Sequence, residues 1–234
     1  MNYPLLIFFG LAPSIIWLLF YLRKDILPES NSMILKVFIM GMIATLPAAL
    51  IELGMSDYFK QIPCPKIYAL GLFCFLGIAL PEEFMKYLVV RIKVVSHAEF
   101  DEPIDAILYM IIAALGFSAM ENILTLFPFK ETIELFSASW VRFVSATFLH
   151  ALTSALIGYF MALSFFNIKN RLKLIFIGLT LAVILHGLYN FLIMMKGAPS
   201  MLGPIILLII LAIFISYAFK KVKKMKSICL YLKN

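Results

Sequence analysis

Charge is scarce in this sequence. Asp, Glu, Lys and Arg make up 14% of its 234 residues, while 63% are apolar and the mean hydropathy is +1.01. A soluble globular chain is about 25% charged and about 45–50% apolar, so a water-soluble enzyme is excluded. The net charge of +7 does not point to nucleic acid, because the basic residues cluster between apolar runs, where they control topology. Cysteine is nearly absent. Cys64, Cys74 and Cys229 fall in separate parts of the chain, which excludes a disulfide framework or a zinc knuckle. Several motifs of membrane hydrolases are also missing. There is no H-E-x-x-H helix, and Gly116-Phe117-Ser118 lacks the second glycine of a G-x-S-x-G elbow. No Gly-x-Gly-Asp pair occurs, and Asp105 is the sole aspartate inside an apolar run.

What the chain has in quantity is long apolar segments. A membrane-spanning helix needs about 20 mostly apolar residues, and seven stretches qualify: Tyr3–Leu22, Ile34–Leu53, Ile67–Val90, Ile104–Phe127, Trp140–Phe166, Leu174–Met195 and Met201–Phe219. The expected fold is an all-α, polytopic transmembrane bundle of one domain, residues 1–234, with a basic tail over 220–234. The first stretch lacks a basic lead-in and a small-residue cleavage site and is followed by Arg23-Lys24, so it reads as a retained helix. Neither an inverted repeat nor a low-complexity linker is visible.

Basic residues set the expected orientation. Arg23, Lys24 and Lys36 sit at the first connection, Arg91 and Lys93 at the third, and Lys169, Arg171 and Lys173 at the fifth. With Lys220, Lys221, Lys223, Lys224, Lys226 and Lys233 after the seventh stretch they number fourteen, against five (Lys60, Lys66, Lys130, Arg142 and Lys196) on the other side. That asymmetry places the C-terminus in the cytoplasm and the N-terminus outside. The Lys220–Lys226 tail reads as a stop-transfer anchor, with binding to anionic lipid or to a partner as the alternative. The acidic lead-in Glu99, Asp101, Glu102 and Asp105 around Pro103 reads as a helix start, with carboxylates at its positive end.

Against this apolar background a few polar residues stand out. Glu82, Glu83 and Lys86 follow Pro81 within the third stretch. Each charge there costs at least about 2.5–3.5 kcal/mol at the membrane centre, so such a cluster needs partners. Offsets of three and four let Lys86 reach either carboxylate. One carboxylate can then act as a base toward water while the other is oriented by the ammonium group. Pro81 is expected to kink the helix and free a backbone carbonyl. Glu121-Asn122 in the fourth stretch, His150 in the fifth, and His186 with Asn190 in the sixth complete the set, and Gly116 and Ala113 thin the fourth helix for close packing. His186 and Asn190, four apart, share one helix face. By segment midpoints Glu121 and the Glu82–Glu83 pair differ in depth by about 10 Å. Arg142 reads as an anchor at the outer interface, and Glu52 and Asp57 as residues of an outer helix end. The cluster suits an enzyme. An ion- or proton-coupled transporter is the main alternative, and a scaffold whose polar residues specify packing is a third.

The residues from Leu80 to Phe191 carry a resemblance. Glu82-Glu83-x-x-Lys86, Asp101-Glu102-Pro103-Ile104-Asp105-Ala106, Leu115-Gly116-Phe117 through Glu121-Asn122, His150-Ala151 with Ser154 and Gly158-Tyr159, and His186 with Tyr189-Asn190 resemble the PrsW family of bacterial intramembrane proteases. These are distant relatives of the CAAX-prenyl endopeptidase superfamily, whose signatures are Glu-Glu-x-x-x-Arg, Phe-x-x-x-His and His-x-x-x-Asn. The chain departs from those signatures at Lys86, which replaces an arginine one residue early, and at Glu121, which stands where a histidine is usual; His150 is the candidate to supply that imidazole. The resemblance implies a multi-pass protein of the bacterial cell membrane that cuts a single-span membrane protein, such as an anti-sigma factor, at its extracytoplasmic side. It implies that Glu82 or Glu83 activates water with help from His150 or Glu121, and that His186 and Asn190 donate to the oxyanion. Lys86 and Asn122 are supporting residues. His150, His186 and Glu121 leave a Zn²⁺ ion open as a cofactor, although no ligand spacing demands one and metal-free glutamate catalysis is the preferred expectation.

Overall fold

The computed structural model describes residues 2–24, 29–195 and 202–225. Lys196, Met201, Lys226, Cys229 and Lys233, which entered the reading above, lie outside them. The helices are α1 (Tyr3–Leu22), α2 (Asn31–Gln61), α3 (Lys66–Leu72), α4 (Leu80–Lys93), α5 (Pro103–Leu126), α6 (Thr132–Val144), α7 (Ala146–Phe165), α8 (Arg171–Met194) and α9 (Leu202–Val222). A π-helical stretch, Phe73–Ala79, joins α3 to α4, and a 3-10 turn, Ile168–Asn170, precedes α8. Among the described residues there are seven helical stretches long and apolar enough to cross a membrane, in the order the sequence leads one to expect.

Helix α5 is the axis of the bundle. It is apolar on every face, and a helix of that kind has to be surrounded by others; every residue from Pro103 through Ala119 is buried. Its start is fixed by reciprocal capping. The Asp105 carboxylate accepts from the Glu102 amide at 2.6 Å and from the Asp101 amide at 3.0 Å, and Pro103 occupies the first turn, where no amide hydrogen is needed. Helices α1, α2 and α7 pack around it. Gly41 of α2 lies against the Ala113 carbonyl and Gly116 of α5 against the Phe38 carbonyl. A methyl group at either position would overlap backbone, so the pair sets the closest approach of two helices.

Two features differ from the expected spans. Helix α2 runs on to Gln61, eight residues beyond Leu53. The fifth stretch is two helices, broken at Ser145, whose backbone (φ −122°, ψ −91°) is not helical. The Ser145 hydroxyl donates to the Val141 carbonyl at 2.6 Å and so satisfies one of the acceptors at the end of α6.

Candidate active site

The Glu82–Glu83 pair is aimed by the backbone that precedes it. Pro81 has no amide hydrogen to return to the carbonyl four residues back, and the helix before it is wound in the wider π pattern, with the Leu80 amide bonded to the Phe75 carbonyl five residues earlier. The expected kink at Pro81 is therefore a π stretch ending beside it, a form that recurs at functional sites. Gly187, next to His186, lets α8 lie on this stretch, where an added Cβ would come within 3.0 Å of the Phe75 Cα. Glu82, Glu83 and Lys86 begin α4 and are all buried.

These side chains meet the two histidines in one network. Lys86 Nζ is 2.9 Å from Glu83 Oε1, 3.4 Å from Glu82 Oε2 and 2.6 Å from His150 Nδ1. It also lies 4.5 Å from the centre of the Phe117 ring, over the aromatic face. Glu83 is held on both oxygens: Oε1 is 2.8 Å from His186 Nδ1 and 3.0 Å from Thr153 Oγ1, and Oε2 is 3.2 Å from Ser154 Oγ. On the other side, His150 Nε2 is 2.7 Å from Glu121 Oε2. Arg142 forms an ion pair with Glu121 Oε1 at 2.9 Å, its alignment short of a hydrogen bond, and donates to the Asn122 side-chain oxygen. Asn122 in turn donates to the Gly10 carbonyl at 3.2 Å and to Thr147 at 3.1 Å.

The pattern fixes both imidazole tautomers. An ionised carboxylate only accepts, so Glu83 takes the hydrogen on His186 Nδ1 and Glu121 the hydrogen on His150 Nε2. That leaves lone pairs on His186 Nε2 and on His150 Nδ1, the latter accepting from Lys86 Nζ, and both nitrogens face Glu82 Oε2, at 3.8 and 3.6 Å. The facing atoms of Glu82, His150 and His186 lie within 4.8 Å of one another. A tetrahedral Zn²⁺ site with bonds of about 2.0–2.1 Å has ligand atoms about 3.4 Å apart. The donors present therefore fit the metal, with a carboxylate behind each histidine, as metal-bound imidazoles usually have. The group that could hold a metal contains Glu82, where the sequence reading had Glu121, and Glu121 lies behind His150 at its other ring nitrogen.

A cavity of about 480 Å³ opens beside these donors. Glu82, Glu121, His150, His186 and Asn190 line it, whereas Glu83 and Lys86 do not. Arg142 lines it too, against the expectation of an interface anchor. Arg142, near the end of α6, and Ser145, at the break, both line it, and a sequence read as one continuous helix could not mark that break. Glu52 and Tyr189 are further wall residues. Glu52 was assigned to an outer helix end because the apolar window closes at Leu53, whereas α2 carries on past it. The depth difference expected between Glu121 and Glu82 is bridged by His150, which touches the former and approaches the latter.

Fold and site define a class: a multi-pass membrane protein with a buried glutamate–histidine centre open to a cavity, the equipment of a membrane-embedded hydrolase. A family model described as the PrsW family intramembrane metalloprotease matches residues 29–218. Three relatives called protease PrsW are similar to this chain: 34% identity for that of Geobacillus kaustophilus, over 80% of this chain and 79% of the relative; 32% for Oceanobacillus iheyensis, over 82% and 83%; and 30% for Bacillus subtilis, over 79% and 80%. No solved structure matches. This chain belongs to the PrsW family of intramembrane proteases. It is a peptidase, and the transporter alternative is set aside.

Proposed function

We propose that this protein cuts a single-span membrane protein, such as an anti-sigma factor, by metal-assisted hydrolysis, with the N-terminus outside and the C-terminus cytoplasmic. One observation carries the chemistry: two imidazoles, each held from behind by a carboxylate, turn their lone pairs toward Glu82 at the edge of a cavity. Glu82, His150 Nδ1 and His186 Nε2 would hold the ion, which leaves a fourth position for water or substrate. A zinc ion held there would supply a nucleophile at neutral pH and Lewis acidity toward a carbonyl. The donor set and the family description turn the choice between metal-free and metal-assisted catalysis toward the metal.

The protein's own groups divide the remaining work. Glu83, gripped by Lys86, Thr153, Ser154 and His186, is too enclosed to reach water and keeps His186 in one tautomer. Glu121, clamped by Arg142, does the same for His150. Lys86 balances the carboxylate pair and rests on the His150 Nδ1 lone pair, a contact that a bound cation would replace. Asn190, one turn beyond His186 on the cavity wall, donates its amide hydrogens to the developing oxyanion.

The test is co-expression with tagged single-span anti-sigma-type proteins of the source organism, together with metal analysis of the purified protease. Wild type is expected to yield a shortened product and stoichiometric metal. Glu82→Gln and His186→Ala are expected to lose both. Product that persists in both variants would show that another protease does the cutting, and a fully active, metal-free wild type would remove the metal from the scheme.

A further inference from the structure

The catalytic cavity does not end at its own walls. Val144, Ile205 and Leu208 line it and also line a second, larger hollow of about 740 Å³ on the bundle surface. This hollow is a groove between the α6–α7 break and one face of α9. It continues along α9 through Ile209, Ile213 and Tyr217 to Lys220. From Ile205 to Lys220 is about 22 Å of helix, most of the way across a hydrocarbon core of about 30 Å. The groove wall is apolar until Ser216, Tyr217 and Lys220. In the membrane it faces lipid, and at one end it runs into the chamber that holds Glu82, His150 and His186.

We infer that this groove receives the transmembrane helix of the substrate, which lies alongside α9 while the chain just beyond the helix end bends between Val144 and Ile205 into the cavity. The inference rests on the protease reading above and adds the route of entry, which is lateral, between α9 and the α6–α7 break. Continuity argues for this occupant. Lipid covers the groove when it is empty, but lipid alone does not account for a groove that shares three residues with the catalytic chamber, whereas a substrate that must reach that chamber does. The geometry also sets polarity. Cavity and groove meet at the start of α9, and the groove leads toward its basic end at Lys220 and Lys221. The scissile bond therefore lies at the end of the substrate span remote from the protease's basic connections. An extended segment is needed there, because a helical one keeps its carbonyls inside its own hydrogen bonds.

The experiment places a photo-crosslinking amino acid at Ile205, Ile209 or Ile213 in the inactive Glu82→Gln background. The partner is the tagged single-span reporter that the wild type has been shown to cleave. Leu50 and Phe176 serve as controls, at 70% and 69% exposure against 54% for Ile209 and 66% for Ile213, so that all see lipid to a similar extent. The expected result is adduct with the reporter from the groove positions and none from the controls. Mapped contacts should move by about eight residues, about 12 Å, along the reporter span between Ile205 and Ile213. If the reporter is cleaved by wild type but crosslinks equally from the controls, or from no groove position, the entry route is wrong and the protease assignment stands. If wild type cleaves none of the single-span reporters, the proposed function fails and the groove assignment falls with it.

Discussion

Two regions of this molecule gather carboxylates, and they use them differently. At the start of α5, the Ser30 hydroxyl donates to Glu99 at 2.9 Å, the Tyr109 hydroxyl donates to Glu29, and Asp105 accepts from the backbone of residues 101 and 102. The donors described there are hydroxyls and backbone amides, and the visible result is the start of α5 tied to the start of α2. At the other region, Glu82, Glu83 and Glu121 meet two imidazoles, an ammonium and a guanidinium, and a cavity opens beside them. None of the α5-start residues lines that cavity. Acidic residues alone hold backbone in place. They become chemical equipment where they fix imidazole lone pairs toward a space that water and substrate can enter.

The contrast can be broken most severely at Glu82. Glu82→Gln is expected to lower the cleavage rate by about 10⁴-fold, the scale on which removing one member of a catalytic set acts; a variant retaining a tenth of wild-type rate would remove Glu82 from the centre. Asn190→Ala should cost about 10²–10³-fold in kcat, the usual effect of losing one oxyanion donor, and an unchanged kcat would leave Asn190 as wall only. Lys86→Met leaves the Glu83 charge buried without its ammonium and should destabilise the fold by about 3–5 kcal/mol, read as a shift in detergent or thermal unfolding. A variant as stable as wild type would mean that Glu83 is carried by its hydroxyl and imidazole donors. Glu121→Gln sharpens the distinction between a ligand and an orienting group: metal affinity should fall about 10–100-fold without vanishing, and complete metal loss would move Glu121 into the ligand set. At the other cluster, Asp105→Ala removes one cap, worth about 1 kcal/mol of stability, with cleavage by the folded protein unchanged. A deep loss of activity there would erase the difference between the two regions.

The sequence already displayed much of this. Seven apolar stretches are legible because each must be long enough to cross a bilayer, and the polar residues are conspicuous against 63% apolar neighbours. Proximity in the chain also reveals Lys86 as a partner of Glu82 and Glu83, three and four residues away. What stayed hidden depends on backbone breaks and on distance along the chain. Ser145 carries no proline or glycine to mark the break, so Arg142 looked like part of a continuous helix end. Thr153 is an ordinary residue of an apolar run until α7 turns it onto Glu83 Oε1. That Glu121 sits behind His150 while Glu82 faces both imidazoles is a matter of which ring nitrogen each one meets, and spacing carries no such information.

The π stretch before Pro81 has a consequence for what changes the chain can tolerate. A π turn holds one more residue than an α turn between bonded groups. Rewinding Phe73–Ala79 as α-helix with its residue count unchanged would rotate everything beyond it by about 100°. Glu82 and Glu83 would then point away from His150 and His186, with every residue of the catalytic set still in the sequence. The aim of the centre is thus stored in the winding of this stretch, and a change that tightened it to α-helix would silence the enzyme as surely as a change in its chemistry.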